Sequence, residues 1–148
     1  MKIPKLVLIE SPYAGDIERN LRYARACMRD SFMRGEFPWA SHITYTQDGI
    51  LDDAVPEERA LGIEAGLQWG KHAELTAVYV DLGISPGMKL GVERARAEGR
   101  AIEVRSLDEW AGKYLIETTL ADVNFLFDIQ KQRIADVGKE ASGEAGGD

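Results

Sequence analysis

One cysteine, Cys27, is all that this 148-residue chain carries. No intramolecular disulfide framework can form, and a reducing compartment is expected. Positive charge is also scarce: 18 Lys and Arg stand against 25 Asp and Glu, for a formal net charge of −7. A nucleic-acid backbone is held by a basic stripe, so a nucleic acid polymer is not an expected partner. A small anion in one local pocket is compatible with this balance. Long apolar runs are missing, and no stretch approaches the roughly 20 apolar residues of a membrane span. The N-terminal MKIPKLVLIESPY has too short an apolar run, and the wrong residues after it, for a secretory signal. No membrane partner is expected, and the cytoplasm is the expected location. The apolar fraction of 45% is that of a soluble globular protein, and the length fits one domain with one core.

What is present alternates. Lys5 to Glu10 is a continuous apolar run of the kind buried on both faces of a sheet. It ends in the turn-rich Ser11-Pro12-Tyr13-Ala14-Gly15, after which Asp16 caps a helix from Ile17 to Met33. Leu21, Ala24, Met28 and Phe32 mark the core face of that helix, and Cys27 reads as a small packing residue. A short strand is predicted near Trp39 to His42, followed by a long loop through Asp52 and Asp53. Pro56 opens a helix over Glu57 to Lys71, with Trp69 read as a core or interface residue. Its Gly62 and Gly66 cost roughly 1 kcal/mol each against alanine, so close packing against them is expected. A strand over Leu75 to Asp81, a helix over Pro86 to Glu98 and a strand over Ala101 to Arg105 follow. This succession predicts an α/β fold with right-handed crossovers and a parallel sheet. Leu107 to Val137 carries a helical pattern, so residues 1–137 read as one domain. Residues 138–148 read as a disordered acidic tail.

The chain is organised around Val78 to Ala95. A strand ends at Asp81, Gly83 turns the backbone, and Ser85-Pro86 starts a helix. Ligands of open parallel sheets sit beyond the carboxyl ends of strands, and a helix start there suits an anion. The plainer alternative is an ordinary strand-to-helix turn. His42 is a candidate acid or base, although a hydrogen-bonded structural histidine is the commoner case. Arg59 can reach a ligand from just inside its helix, or pair with a neighbouring acid. Asp48, Asp52 and Asp53 match no cation loop by spacing, so no metal and no cofactor are expected.

Three pieces of the chain, within about residues 5 to 106, resemble the nucleoside 2-deoxyribosyltransferase-like superfamily. They are the Ser11 to Gly15 loop, the Arg59, Gly62 and Trp69 helix, and Gly87-Met88-Lys89-Leu90-Gly91 with Ala95 a turn later. The resemblance implies a flavodoxin-like, doubly wound parallel sheet of four to five strands, with helices on both faces and a C-terminal helical segment. It implies a pocket for a small-molecule nucleoside or nucleotide. There Tyr13 and Gly15, with Ser11 of the same loop, would line base and sugar, and Ser85 and Gly87 would meet the sugar or its 5′-phosphate. Asp81 would lie at the pocket floor, and a homo-oligomer is expected. The chain departs from the family at one position. Active members carry a nucleophilic Glu in Gly-x-Glu-x-Gly, and the matching residue here is Lys89. An ammonium repels the cationic state of the sugar, by roughly 4 kcal/mol at about 4 Å in a partly buried site. Lys89 suits an anion contact instead, or a pair with Glu93. Asp81 and Glu93 are the candidate replacement carboxylates, with Glu10 a third.

Three functions compete. The first is an N-glycosidase or deoxyribosyltransferase acting on a nucleoside or its 5′-monophosphate. The second is a module that binds such a ligand without chemistry. The third is a scaffold subunit built on the Gly62 and Gly66 helix and the Phe125 to Phe127 segment.

Overall fold

Strand β1, Leu6–Glu10, buries Val7, Leu8 and Ile9 from solvent, so its apolar run serves two faces at once. The computed structural model of the chain describes residues 3–114 and 121–131. Helix α1 (Ile17–Met33) follows, then strand β2 (Phe37–Trp39) and a single-turn helix α2 (Ser41–Thr44). Helix α3 (Pro56–Gly70), strand β3 (Leu75–Tyr79), helix α4 (Pro86–Ala97) and strand β4 (Ala101–Arg105) complete the order. The four strands pair in parallel in the order β2-β1-β3-β4. This is the flavodoxin-like, doubly wound arrangement, with a change of direction between β1 and β3.

Period-2 alternation divides the sheet's residues between two layers. Val7 and Ile9 of β1 pack with Leu75, Ala77 and Tyr79 of β3 and with Tyr23 and Cys27 of α1. Helix α1 contacts β1 and β2, while α4 contacts β1, β3 and β4 and also meets α3. Gly70 of α3 stands close to Leu8, which places Leu8 toward the α3 layer. Glu10, two residues on, shares that side.

Several local expectations shift. The core face of α1 is Tyr23, Ala24 and Cys27 with Asn20 and Ser31, whereas Phe32 is exposed. The polar pair belongs inside because both are bonded: Ser31 donates to Glu36, and Asn20 to two carbonyls of the preceding loop. Cys27 is buried, and burial pushes its thiol well above the usual range, as befits a packing residue. Strand β2 lies earlier than Trp39 to His42, and His42 sits on α2. Pro38 is tolerated at the centre of β2 because this is an edge strand. Trp69 is 60% exposed and packs beside Trp39, because α3 turns its glycine side inward. Residues 107–114 form turns rather than helix. There Gly112 adopts φ 71°, and Trp110 stacks on Tyr23 with ring centroids 5.1 Å apart.

The close packing expected at the α3 glycines comes from α2 and the loop after it. A Cβ at Gly66 would lie 2.5 Å from Ser41 Oγ and 2.8 Å from Ser41 Cβ, while Gly62 faces Leu51 and Tyr45. Gly66→Ala is therefore expected to lower stability by about 1–3 kcal/mol through overpacking, despite the helix propensity alanine adds. Urea unfolding would read this, and an unchanged or raised midpoint would count against the packing described.

At the far end of β4, Arg105 is buried and makes two 2.7 Å bonds to Glu36 as well as one to Tyr79. Burial works against its charge, but the bonds from Glu36 and Tyr79 outweigh that and hold its pKa above the ordinary value.

The chain divides into two units, Met1–Leu115 and Ile116–Asp148. The expected domain over 1–137 spans that division. Of the C-terminal helical segment, residues 121–131 are helical, and the tail at 138–148 lies outside the described residues. Among the described residues no helix is long and apolar enough to cross a membrane.

Candidate functional site

The carboxyl end of β1 opens into a cavity of about 170 Å3. Strand β1 contributes Leu8 and Glu10, and the loop after it contributes Ser11, Tyr13 and Ala14. The start of α4 adds Ser85 through Met88 with Leu90 and Gly91. A third wall comes from α2 and α3, with Ser41, His42, Arg59, Gly62, Ile63 and Gly66. The sheet changes direction between β1 and β3, so a crevice opens here because the helices on either side diverge.

Local chemistry fixes each wall. Asn20 Nδ2 donates to the Tyr13 carbonyl at 2.8 Å and to the Ala14 carbonyl at 3.0 Å, tying the first loop to α1. Gly15 adopts φ 101°, and Asp16 then caps α1 through the Arg19 N–H. At α4, Ser85 Oγ accepts from the Met88 N–H at 3.2 Å, and Pro86 occupies the first helical position. Arg59 projects from α3 and pairs with Asp53 at 3.5 Å.

Three polar side chains meet near the β1 end. Ser11 Oγ lies 2.6 Å from His42 Nε2. Burial holds the His42 imidazole down to about 4, so it is neutral at pH 7 and can accept the serine proton. Glu10 is pushed up to about 8 by burial, with Arg100 acting in the opposite direction. A Cβ at Gly91 would stand 2.5 Å from Glu10 Cδ and 3.0 Å from Oε2, so the carboxyl lies directly over the α4 backbone. No hydrogen bond from another described residue holds it.

Of the residues singled out in the sequence, Glu10, Ser11, Tyr13, His42, Arg59, Ser85 and Gly87 line this one cavity. Gly15, Asp81, Lys89 and Glu93 do not. Asp81 is buried beneath α1 and the turn after β4. It accepts from the Tyr23 hydroxyl at 2.7 Å, the Leu107 N–H at 2.9 Å and the Ser106 hydroxyl. Its lone pairs serve the scaffold. Glu93 is exposed, and Lys89 is half-buried in the first turns of α4. On the α3 wall Arg59 is expected from the sequence, whereas Glu58, Ile63 and Leu67 are not. The wall's other visible signal is the Gly62 and Gly66 pair, which line the cavity as well as admitting α2. Among the described residues no group of His, Cys, Asp and Glu could hold a metal ion.

A four-stranded parallel sheet in this order, flanked by helices and opening at its switch point, is an α/β domain of the nucleoside deoxyribosyltransferase-like fold. A solved 2-deoxyribosyltransferase from Bacillus psychrosaccharolyticus shares that fold at a TM-score of 0.50 and 15% identity, over 74% of this chain and 76% of its own. The chain itself belongs to the family described as a domain of unknown function, DUF7768, which matches residues 5–105. The CMP N-glycosidase BcmB of Clostridium botulinum aligns over 88% of this chain and 99% of its own, at 15% identity and a TM-score of 0.40. No curated protein matches the chain in sequence.

Proposed function

We propose that the cavity takes a nucleoside or nucleoside 5′-monophosphate and that the protein acts on its N-glycosidic bond, as an N-glycosidase or a deoxyribosyltransferase. The observation that carries this reading is the cavity's construction. The first loop and the start of α4, the two pieces that the resemblance assigns to a nucleotide pocket, face one space at the end of β1. In this reading Ser11 and Tyr13 meet base and sugar, and Gly15 shapes the loop behind them. Ser85 and Gly87 meet the sugar or its 5′-phosphate, since free N–H groups at a helix start favour an anion. Arg59 supplies a guanidinium from α3, and Lys89 adds positive charge beside the α4 start. Asp81 acts through the scaffold that it anchors, and Glu93 stands apart from the chemistry.

A second reading, binding without cleavage, is favoured by one observation: Lys89 occupies the position that the resemblance gives to a nucleophilic Glu. Both readings meet one experiment. The purified protein is incubated overnight with the common nucleosides and their 5′-monophosphates. Free base is measured by chromatography, and binding of the same compounds by calorimetry. Base release supports the first reading. Binding in the micromolar range with no release supports the second. Neither release nor binding would remove the nucleotide reading altogether.

A further inference from the structure

We propose that Glu10 supplies the reacting carboxyl of this cavity, as a proton donor delivered from the end of β1, and that Gly91 is glycine because this carboxyl occupies the space above it. The proposal rests on the nucleoside reading above and adds the group that performs the chemistry.

The geometry carries it. Glu10 follows three buried apolar residues on a central strand, where solvated acids are rare. Alternation along β1 turns it to the α4 side, into the cavity, next to Ser11. A Cβ at residue 91 would overlap its carboxyl, so any side chain there would displace the Glu10 carboxyl from its present place. The acid that a scaffold needs looks different: Asp81 accepts three hydrogen bonds, whereas no described residue donates one to Glu10. A half-buried acid left without donors is costly to ionise. In keeping with this, burial holds Glu10 protonated at neutral pH.

The step balances with water alone. As the bond between the anomeric carbon and the base nitrogen breaks, its electron pair leaves with the base, and the Glu10 carboxyl passes its proton to the base. The carboxylate left behind faces the cationic sugar and stabilises it. Water then adds to the anomeric carbon, and the proton it sheds returns to Glu10. The pair of Ser11 and neutral His42, 2.6 Å apart beside this group, offers polar contacts to the incoming water.

The test measures base release from the same nucleosides and 5′-monophosphates between pH 5 and pH 10. It compares the unmodified protein with Glu10→Gln, Glu10→Asp, Gly91→Ala and the Glu10→Gln/Gly91→Ala double variant, each first shown to unfold cooperatively. The unmodified protein is expected to lose rate above about pH 8, where its acid ionises. Glu10→Gln is expected to lose at least about 100-fold and to lose that pH break. Glu10→Asp should retain part of the rate. Gly91→Ala should lose at least about tenfold by displacing the carboxyl, and the double variant should be no slower than Glu10→Gln alone. If the unmodified protein releases base and Glu10→Gln does so within about threefold with the pH break intact, the assignment of Glu10 is overturned while the nucleoside reading stands. If the unmodified protein releases base from none of these compounds, the glycosidic reading fails and the proton donation fails with it.

Discussion

Glu10→Gln is expected to flatten the alkaline side of the protein's stability curve. The Glu10 carboxyl is raised from 4.5 to about 8 on folding, chiefly by burial. A group whose pKa rises on folding contributes stability that is complete below its unfolded value and is lost as pH climbs through its folded value. The unmodified protein should therefore lose stability progressively from about pH 4.5 to pH 8 through this group, by about 5 kcal/mol in all. Glutamine mimics the neutral acid in shape and cannot ionise, so the variant should match the unmodified protein near pH 5 and exceed it near pH 9. His42 has the opposite sign. Its imidazole is lowered from 6.5 to about 4 by burial, so its contribution is present above pH 6.5 and lost as pH falls toward 4. Between roughly pH 4.5 and 6.5 the two slopes oppose each other, and only above that window does Glu10 act alone. Urea unfolding at pH 5, 7 and 9 measures the difference directly. Parallel curves for the two proteins across that range would show that Glu10 ionises as freely folded as unfolded.

Asp81→Ala is the second large effect, expected at about 3–5 kcal/mol of lost stability, because each buried donor left without an acceptor costs about 1–3 kcal/mol. The Tyr23 hydroxyl donates to Asp81 Oδ2 and accepts from the Asp81 N–H, at 2.7 and 2.9 Å. Burial first, then Cys27 and Asp81, push the Tyr23 phenol far above its ordinary range, so its proton remains available as a donor. Alanine would strand that donor together with the Ser106 hydroxyl and the Leu107 N–H. Asp81→Asn keeps one acceptor but turns an NH2 toward donors, and should cost about 1–3 kcal/mol. A loss below about 1 kcal/mol for alanine would remove Asp81 from the scaffold and return it to the candidates for chemistry. The same numbers bear on function: an inactive Asp81 variant reads first as a loosened fold, whereas an inactive Glu10 variant near pH 5 cannot be read that way.

The parts of the fold legible in the sequence are those governed by local patterns. The KLVLIE run, the Asp16 cap, the Ser85-Pro86 helix start and the helix-to-strand step at Gly99 each carry their signal within a few residues, and each lies where it was expected. Ser85 and Gly87 stand out through the helix start after a strand end, whereas Ser11 and Tyr13 are pointed to by the resemblance, and all four line the cavity. The remainder depends on pairs distant in the chain. Tyr23 and Asp81 are 58 residues apart, and only their meeting shows that this acid is consumed by structure. Asn20 looks misplaced on a core face until the carbonyls it anchors are seen. Glu10 stands only third among the candidate carboxylates in the sequence, and Gly91 reads as the closing glycine of the Gly87 to Gly91 motif. Neither alone signals that one fills the space the other leaves.

Pro38 has a consequence for how the molecule avoids its own kind. Within β2 the Phe37 N–H bonds inward to the Lys5 carbonyl, so the next residue in the strand presents its amide edge outward. That residue is proline, which has no N–H to offer. An incoming strand would meet a rim three residues long with no donor at its centre. The exposed Phe37 beside it would otherwise make this rim a template for edge-to-edge aggregation. Self-association of the folded chain is thereby steered away from sheet extension at β2, and a crowded solution of this protein is guarded on that side by a single ring.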